Sequence, residues 1–467
     1  MNMGIFRGGR AGEVAVIGLG KSGSAAATLL ARDGHRVYAS DAGTGDAALR
    51  SAAELQRAGV AIDTGRHDLE RIARAALVVA SPGVPPTAPP LAAARAAGVP
   101  VVGELEIALH YLPGLRYIAV TGTNGKTTTT ALVGHLLRAL GHRVIDAGNI
   151  GTPLAAVVLA EARPDWVSLE MSSFQLHDTP SVRPTVGVLT NLSPDHLDRY
   201  DDVTAYFADK ALLFANAHAG SHWVVNADDA AAMRMTEGVA GTRHTFSTAE
   251  VPAGGAAARY DRAENALVLG EHRVIGRDEF PLIGDHNVAN ALAAVLAAVL
   301  AVTVATQRGS DQPARDALAG ALRSFRALTH RLEPAGSYGG VEWINDSKAT
   351  NVSSTLVAVE GMTRPFVLLL GGRHKGEPYT ALAEPFKRFG RQVLAYGEAA
   401  ERIERDLGSL IPVERLSGSF EEVIARARAL ARPGDAVLLS PACSSYDMFN
   451  NYEERGAAFK RLAAAAA

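Results

Sequence analysis

Cysteine is almost absent from this chain. Cys443 is the only one among 467 residues, which excludes an intrachain disulfide and any metal cluster built from several cysteines. Glycine and proline stay below low-complexity levels, with 46 and 22 residues. With 48% hydrophobic and 20% charged residues, the composition is that of a folded globular protein.

An excess of charge of one sign is also absent. The chain has 46 Lys and Arg against 49 Asp and Glu, for a net charge of −3, and the basic residues do not concentrate in one block. A nucleic-acid groove needs a basic patch or stripe. We therefore expect no nucleic-acid partner.

Long apolar runs are rare. The first ten residues, M-N-M-G-I-F-R-G-G-R, contain no apolar core of signal-peptide length. Residues 288–306 are uncharged and long enough to span a membrane, but nearly half of them are alanine and Asp285-His286-Asn287 directly precedes them. We interpret this stretch as a buried helix. The expectation is a cytoplasmic protein without membrane insertion.

The fold expected is α/β, with about three domains for this length. Short β-branched runs alternate with Ala/Leu-rich helical stretches, which is typical of mainly parallel sheets. The clearest strands are predicted at 14–18, 77–80, 117–121, 166–170, 186–190, 223–226, 341–345, 366–370 and 436–440. Boundaries near Leu112-Pro113-Gly114 and residues 327–330 predict domains at 1–113, 114–327 and 328–467.

A phosphate-binding loop is predicted at residues 117–128, Y-I-A-V-T-G-T-N-G-K-T-T. Gly122 and Gly125 allow backbone N–H groups to surround phosphate oxygens, and the following helix adds its N-terminal donors. Lys126 suits the β- and γ-phosphates, and Thr127 suits the accompanying Mg²⁺. The loop is two residues shorter than the usual P-loop, because Val120 stands where the first glycine is expected.

A second glycine-rich turn leaves two functions open. Gly18-Leu19-Gly20-Lys21-Ser22-Gly23 follows a strand, and Asp41 ends the next strand-like run. This pattern is typical of a dinucleotide site with a ribose-binding acid, and so of an NAD-dependent oxidoreductase. The same geometry suits the pyrophosphate of a UDP-sugar.

Three further polar residues stand out in the middle of the chain. Glu170 ends a predicted strand, where a carboxylate commonly binds the Mg²⁺ of a nucleotide, although a capping or surface role is the simpler alternative. His196 lies in a polar loop after a strand and has either a functional or a capping role. Lys210, judged alone, is a surface lysine whose stem covers apolar neighbours.

Seven motifs, taken in order along essentially the whole chain, resemble those of the Mur ligases. They are T-G-T-N-G-K-T-T (121–128), E-M-S-S-F-Q-L (170–176), N-L-S-P-D-H-L-D-R-Y (191–200), D-H-N-V-A-N-A-L-A-A (285–294), T-H-R-L-E (329–333), N-D-S-K-A-T-N (345–351) and S-P-A-C-S-S-Y-D-M-F-N-N-Y (440–452). Each motif is moderately specific, and the ordered set is highly specific. The short phosphate loop is itself a feature of this family.

The resemblance implies an ATP-dependent ligase of cytoplasmic peptidoglycan precursor synthesis. Its three domains would bind a UDP sugar, bind ATP, and close over the site. The implied reaction joins D-glutamate to UDP-N-acetylmuramoyl-L-alanine through an acyl phosphate, releasing ADP and phosphate. The resemblance also implies two Mg²⁺ ions, and we expect a monomer. The nearest alternative is another ligase of the superfamily, similar to folylpolyglutamate synthase; a nucleotide-binding regulatory module without chemistry is a third alternative.

The family's site residues map onto matching positions of this sequence. The catalytic positions would be Lys126, Glu170, His196, Lys210 and Arg331. The resemblance places ATP at Gly122, Thr123, Asn124, Gly125, Lys126, Thr127, Thr128, Asn287, Asn290, Arg331, Asp346 and Lys348, and Mg²⁺ at Thr127, Glu170, His196 and Lys210. Lys210 would be carbamylated, which replaces the surface role by that of an anionic metal ligand.

The two remaining substrates map to other positions. The UDP substrate would contact Ser22, Asp41, Ser81, Asn149 and Gln175, and D-glutamate would contact Thr350, Lys375, Ser445, Tyr446 and Tyr452. Three pairs of residues depart from the family pattern. Ala42-Gly43 replaces the hydroxyl and basic residues that often follow the acid, Arg373-His374 replaces an acidic-glycine pair, and Tyr446 and Tyr452 replace Leu and Phe.

Overall fold

The computed structural model describes residues 12–161, 163–196, 199–250, 255–306 and 312–465. The segment 1–10, on which the expectation of no signal peptide rests, lies outside the described residues. Within them the strands form three sheets, of five, nine and six strands. Their strands follow one another along the chain, so each sheet belongs to one continuous stretch of sequence.

The first sheet is wholly parallel. Its strands are β1 (Val14–Ile17), β2 (Val37–Asp41), β3 (Ala61–Thr64), β4 (Leu77–Ala80) and β5 (Val101–Gly103), in the order β3-β2-β1-β4-β5. The helices are α1 (Lys21–Arg32), α2 (Asp46–Arg57), α3 (Leu69–Ala73), α4 (Pro89–Ala96) and α5 (Glu104–Tyr111). Because β2, β1 and β4 are neighbours, the residues that follow them meet at one edge of the sheet.

The second sheet carries the phosphate loop. Its strands are β6 (Tyr117–Thr121), β7 (Val144–Gly148), β8 (Trp166–Glu170), β9 (Val186–Leu189), β10 (His222–Asn226), β11 (Thr242–Ser247), β12 (Ala258–Asp261), β13 (Ala266–Leu269) and β14 (His272–Gly276). Its helices are α6 (Lys126–Ala139), α7 (Leu154–Leu159), α8 (Ser173–His177), α9 (Val203–Ala211), α10 (Ala230–Met235), α11 (Asp285–Thr306) and α12 (Gln312–Ser324). The order is β14-β13-β12-β11-β10-β9-β6-β8-β7, parallel except around β13. Strand β6 therefore lies between β8 and β9.

The third sheet is parallel apart from its first strand. Its strands are β15 (Glu333–Tyr338), β16 (Val341–Asn345), β17 (Phe366–Gly371), β18 (Gly390–Tyr396), β19 (Val413–Arg415) and β20 (Ala436–Leu439), in the order β15-β16-β20-β17-β18-β19. Its helices are α13 (Val352–Glu360), α14 (Ala383–Phe386), α15 (Ala400–Leu407), α16 (Phe420–Leu430) and α17 (Tyr452–Ala464). Short 3₁₀ turns cover Leu212–Phe214, Arg277–Glu279 and Thr380–Leu382.

The prediction of an α/β fold on three mainly parallel sheets is confirmed, and each of the nine predicted strands is present. The apolar stretch at 288–306 belongs to α11. This is the one helix of the described residues long and apolar enough to cross a membrane, and most of its residues are buried in the core that also contains α6. The interpretation of this stretch as a buried helix is confirmed.

Candidate active site

The turn after β6 has the backbone shape of a phosphate cradle. Gly122 and Gly125 have φ of 142° and 81°, values that residues other than glycine rarely adopt. A Cβ on Gly122 would stand 2.0 Å from Thr190 Oγ1, and one on Gly125 would stand 2.3 Å from Asn290 Oδ1. Both glycines are therefore required by the conformation and by the close approach of neighbouring elements.

Residues after the neighbouring strand β9 hold this turn in place. Thr123 N donates to Asn191 O (2.9 Å) and Asn124 N to Asn191 Oδ1 (2.8 Å). Asn124 O accepts from Thr190 Oγ1 (2.6 Å) and from Asn191 Nδ2 (3.0 Å). Asn191 is a supporting residue that the sequence analysis did not assign, and its place directly after a predicted strand was the available signal.

Two lysines converge on one carbonyl of the turn. Lys126 Nζ donates to Gly122 O (3.0 Å) and Thr123 O (2.6 Å), and Lys210 Nζ donates to Gly122 O (2.7 Å). Lys210 is only 1% exposed, so the prediction of a surface lysine was wrong. Burial, reinforced by the Lys126 charge, holds the pKa of Lys210 well below its ordinary value.

Glu170 ends β8, next to the phosphate loop. It is buried, and its Oε1 accepts from Asn149 Nδ2 (2.8 Å). Its Oε2 is also buried and has no hydrogen-bond partner among the described residues. An unsatisfied buried carboxylate oxygen is costly unless a ligand completes it, so Glu170 is not the surface residue of the simpler alternative.

His196 lies beside the turn in a strained backbone conformation. Its φ is 55°, and its ring contacts Phe174 and Tyr206 at centroid distances of 5.3 and 6.1 Å. The adjacent Asp195 is 5% exposed. Burial opposes its ionisation, but His196, Lys375 and Lys126 hold the pKa of Asp195 below its usual value.

The third sheet contributes cations to the same place. Arg331 Nη2 donates to Thr127 Oγ1 (2.6 Å), although 204 positions separate the two residues. Lys348 Nζ lies 4.9 Å from the Tyr452 ring centroid, and burial and the Arg331 charge lower the pKa of Lys348 to about 8. The phosphate loop therefore faces Arg331 and Lys348 as well as its own lysine.

Asp346 follows β16 and is anchored by the neighbouring strand β20. Its Oδ2 accepts from Ser440 Oγ (2.8 Å) and its Oδ1 from Leu332 N (3.2 Å). Burial raises the pKa of Asp346 to about 7. Through Leu332 N, Asp346 therefore holds the segment that contains Arg331 in place.

The N-terminus of α13 touches the central loop through residues that the sequence analysis did not assign. Asn351 caps α13 through Ser354 N (2.8 Å) and also donates from Nδ2 to Asp195 Oδ2 (2.9 Å). Asn124 contacts Ser353 Oγ (3.0 Å) and Ser354 Oγ (2.9 Å). Asn351 could be predicted as a helix cap, but its partner in another sheet could not.

A cavity of about 750 Å³ extends from this contact. Its walls include Gly125, Thr128, Asn290, Arg331 and Lys348. Asn290 Oδ1 accepts from Thr129 Oγ1 (3.2 Å), and Asn290 Nδ2 donates to Asn287 Oδ1 (3.2 Å). Eight of the twelve residues predicted for ATP line this cavity, whose size suits a nucleotide. Gly122, Thr123, Lys126 and Thr127 are not part of its lining.

Two of the residues assigned to D-glutamate lie together. Lys375 Nζ donates to Thr350 Oγ1 (3.3 Å). Ser445 is buried, but Tyr446 is 63% exposed, and Tyr452 packs on Lys348 and His330. Among the described residues, Thr350 and Lys375 are therefore in direct contact, whereas Tyr452 contacts Lys348 instead.

The fully buried Arg455 was missed by the sequence analysis. Its guanidinium donates to Ser347 O (2.7 Å), Ser347 Oγ (2.9 Å) and Cys443 O (3.2 Å). It thereby holds together the two loops that contain Lys348 and Ser445. An arginine within a helical pattern gives no sign of such a role, because arginines in helices are mostly exposed.

The first sheet has its own cavity of about 580 Å³ at the carboxyl ends of its strands. Ser22, Asp41 and Ser81 line it. Asp41 accepts from Leu19 N (2.6 Å) and Gly43 N (2.7 Å). The other two residues assigned to this substrate lie elsewhere: Asn149 is bound to Glu170, and Gln175 forms a capping box with Ser172.

Oxygen ligands for a hard cation are present at the phosphate loop. No group of three His, Cys, Asp or Glu side chains forms a ready metal site within the described ranges. Yet the unpartnered Oε2 of Glu170 and the hydroxyl of Thr127 are the oxygen donors that Mg²⁺ prefers. This donor set fits an Mg²⁺ that arrives with nucleotide phosphates.

The class is that of a multidomain nucleotide-binding enzyme, defined by three mainly parallel sheets, two separate cavities, and a phosphate loop that faces cations from a distant sheet. Matches to three family models cover most of the chain: "Mur ligase MurD-like, N-terminal domain" at residues 12–103, "Mur ligase middle domain" at 120–298 and "Mur ligase, glutamate ligase domain" at 330–443. The chain belongs to the Mur ligase family, whose members depend on ATP and generally use Mg²⁺.

Curated relatives match nearly the full length. The chain is 45% identical over 470 residues to the UDP-N-acetylmuramoylalanine–D-glutamate ligase of Anaeromyxobacter dehalogenans, covering 97% of each chain. It is 42% identical over 459 residues to the enzyme of the same name from Salinibacter ruber, covering 96% of each. Family membership removes the oxidoreductase alternative.

Solved structures support the fold alone. The UDP-N-acetylmuramate-alanine ligase of Thermotoga maritima superposes with a TM-score of 0.59 at 19% identity, over 96% of this chain and 98% of that one. A pseudomurein peptide ligase of Methanothermus fervidus gives 0.58 at 20% identity, over 92% and 96%.

Proposed function

We propose that this protein adds D-glutamate to UDP-N-acetylmuramoyl-L-alanine at the cost of one ATP, releasing ADP and phosphate. The observation that carries the proposal is the phosphate loop opposite Arg331 and Lys348, in a chain 45% identical to a ligase of that name. The proposed domain limits are 1–113, 114–327 and 328–467. We further propose a monomeric, cytoplasmic enzyme that inserts into no membrane.

The chemistry proceeds in two displacements. The alanine carboxylate attacks the γ-phosphorus, so a C–O–P bond forms, the bond to ADP breaks, and an acyl phosphate results. The D-glutamate amine, having lost its proton, then attacks the acyl carbon and phosphate leaves. Arg331, Lys126 and Lys348 offset the negative charge that carboxylate and phosphates bring together.

Water must be excluded, because it hydrolyses an acyl phosphate. The contacts of Asn351 with Asp195 and of Asn124 with Ser353 support the proposal that the third domain closes the central site.

The residues that would hold Mg²⁺ are Thr127, Glu170, His196 and Lys210, and we propose two ions. When bound, Mg²⁺ supplies charge neutralisation on the phosphates. Lys210 is proposed to be a carbamate: burial beside Lys126 favours its neutral amine, the form that reacts with CO₂, and the product is an anion. That anion would place a negative charge beside Lys126, which donates to the same Gly122 O.

Substrate positions are proposed on the same basis. Lys375, held by Thr350, would pair with a carboxylate of D-glutamate, and Ser445, Tyr446 and Tyr452 would complete the pocket. Ser22, Asp41 and Ser81 would bind the UDP end in the first cavity, while Asn149 and Gln175 would contact the sugar-peptide end.

The proposal is tested by measuring phosphate release from ATP with UDP-N-acetylmuramoyl-L-alanine, with and without D-glutamate. We expect release only when both substrates are present. Release that needs neither substrate, or no release at all, contradicts the proposal. L-glutamate in parallel tests the stereochemistry, and a folate substrate in place of the UDP sugar tests the folylpolyglutamate synthase alternative.

A further inference from the structure

His67 lies at the carboxyl edge of the first sheet, where the proposed function gives it no role. It is in the loop between β3 and α3, and β3 is the neighbour of the strand that ends at Asp41. In open α/β sheets a nucleotide lies across this edge: the phosphates contact the first turn, and the nucleoside extends past the acid that ends the second strand. His67 therefore stands on the side of the base.

The loop that carries His67 is held at both ends. Gly65 N donates to Asp41 O (2.8 Å), and Asp68 N donates to Tyr38 OH (3.0 Å). The imidazole itself is fixed, because its Nδ1 lies 2.8 Å from the hydroxyl of the fully buried Ser40. A side chain anchored in this way needs no ordering when a ligand arrives.

His67 also lines the cavity of about 580 Å³ with Lys21, Ser22, Asp41 and Ser81. Among the described residues that line it, His67 is the one with an aromatic ring. Ser81 Oγ donates to Gly18 O (3.0 Å), and the Asp41 carboxylate receives two backbone N–H groups. The neighbouring Ala42 and Gly43 have no polar side-chain atom with which to read a base.

We propose that His67 is the residue that recognises the nucleobase of the UDP substrate, through its Nε2 and the face of its ring. The Ser40 hydroxyl can donate to Nδ1 or accept from it, so Nε2 donates in the first case and accepts in the second. Uracil offers O4 to a donor and N3–H to an acceptor, whereas cytosine has the opposite polarity at both positions. An Nε2 that donates at the O4 position, or accepts at the N3 position, therefore pairs with uracil and meets a group of its own kind on cytosine.

The inference rests on the proposed function and is tested on the full-length protein by calorimetric binding of three probes: UDP, CDP and inorganic pyrophosphate. Pyrophosphate lacks a base and reports only on the phosphate turn. We expect His67→Ala and His67→Phe to weaken UDP binding about tenfold, the effect of one lost hydrogen bond, and to bring the UDP and CDP affinities together. Pyrophosphate affinity should be unchanged.

Two further variants serve as controls. His67→Gln keeps a hydrogen-bonding group and should recover part of the UDP preference. Arg66→Ala removes an exposed neighbour that pairs with Asp63 and should bind all three probes like the unmodified protein. Thermal melting of each variant shows whether the loop and sheet remain folded.

The results separate the two hypotheses. If the unmodified protein binds UDP but His67→Phe binds it equally well, the role of His67 is overturned and the proposed function stands. Equal losses of UDP and pyrophosphate affinity in the His67 variants also overturn this role, because they indicate that the phosphate turn itself has collapsed. An unmodified protein that binds no UDP contradicts the proposed function and, with it, the base-recognition role.

Discussion

At the scale of single residues, the glycines of the phosphate loop are the most constrained positions of the site. Gly125 has φ 81° and caps α6, and a Cβ there would meet Asn290 Oδ1 at 2.3 Å. Gly141, just beyond the other end of α6, has φ 85° and open space around its Cβ position. A substitution at either glycine causes backbone strain, but only a substitution at Gly125 also causes a steric collision. Comparing the two therefore separates these effects.

We expect Gly125→Ala to abolish measurable ATP binding and Gly141→Ala to leave it intact. In both variants the left-handed conformation destabilises the folded state by about 1 kcal/mol, but only Gly125→Ala displaces Asn290 and the loop. ATP binding by calorimetry and thermal melting by circular dichroism measure the two effects. Equal ATP affinities in the two variants would show that the close approach of Asn290 is not needed.

Lys210 is the residue whose proposed chemistry departs most from its ordinary state. Replacing it with Ala removes the amine and the carbamate formed on it, and we expect turnover to fall ~100-fold, the upper end of the loss for metal-site partners. Millimolar acetate or propionate should restore part of the activity by supplying a carboxylate in the vacated space. Phosphate release is the measurement.

The control for this experiment is Lys387→Ala, which removes a half-exposed lysine paired with Glu384. It should retain full turnover and show no response to acetate. Full activity of Lys210→Ala without added acid would refute the carbamate.

At the scale of elements, the sequence predicts strands well where they are buried and poorly where they lie at edges. Buried runs such as Phe366–Gly371, whose first five residues are large and apolar, were predicted directly, here at 366–370. The edge strand Val413–Arg415 has three residues, two of them charged, and its strand conformation depends on pairing with β18. Tertiary pairing of this kind leaves little trace in local composition.

The junction of α5 and α7 contains a buried carboxyl group that was not predicted. Glu104, in the first turn of α5, accepts a hydrogen bond from Ala155 N, and its Oε2 has no partner among the described residues. Burial raises the pKa of Glu104 to about 7. The two helices lie in the hydrophobic cluster shared by the first two sheets. Ionisation of Glu104 therefore affects the packing of these two sheets.

We expect stability to fall as pH rises from about 4.5 to about 7, because the folded state then holds a proton that the unfolded state has lost. The shift from 4.5 to about 7 corresponds to at most about 3 kcal/mol. Glu104→Gln keeps the acceptor for Ala155 N and removes the titration. Its thermal midpoint should therefore change less between pH 5 and pH 8 than that of the unmodified protein.

Asp346 titrates in the same range and remains in both proteins, so the comparison isolates Glu104. An identical pH dependence in the Gln variant would show that Glu104 does not contribute.

At the scale of the whole molecule, the site consists of pairs that are distant in sequence. Arg331 and Thr127 are 204 positions apart, and Asp195 and Asn351 are 156 apart. The motifs predicted which segments belong to the site, because polar residues follow buried strands. They could not predict which side chains meet, since that depends on how the second and third sheets face each other.

The contact between Asp195 and Asn351 provides a direct test of coupling between those sheets. Asn351→Ser keeps a cap for α13 but loses the amide that reaches Asp195. Asp195→Asn keeps the size of the side chain and removes its charge. If the two residues act as one closing contact, the double variant should lose less kcat/KM than the product of the two single losses, with a coupling of about 1 to 2 kcal/mol.

A second cycle supplies the control. Asn451 caps α17 through Glu454 N (2.7 Å) as Asn351 caps α13, but within the described part of the chain it forms no hydrogen bond with Asp195. Asn451→Ser combined with Asp195→Asn should therefore be additive within about 0.5 kcal/mol. Because the two caps are chemically alike, coupling in the first cycle and additivity in the second would assign the effect to the contact between sheets, whereas additivity in both would mean that domain closure does not use this pair.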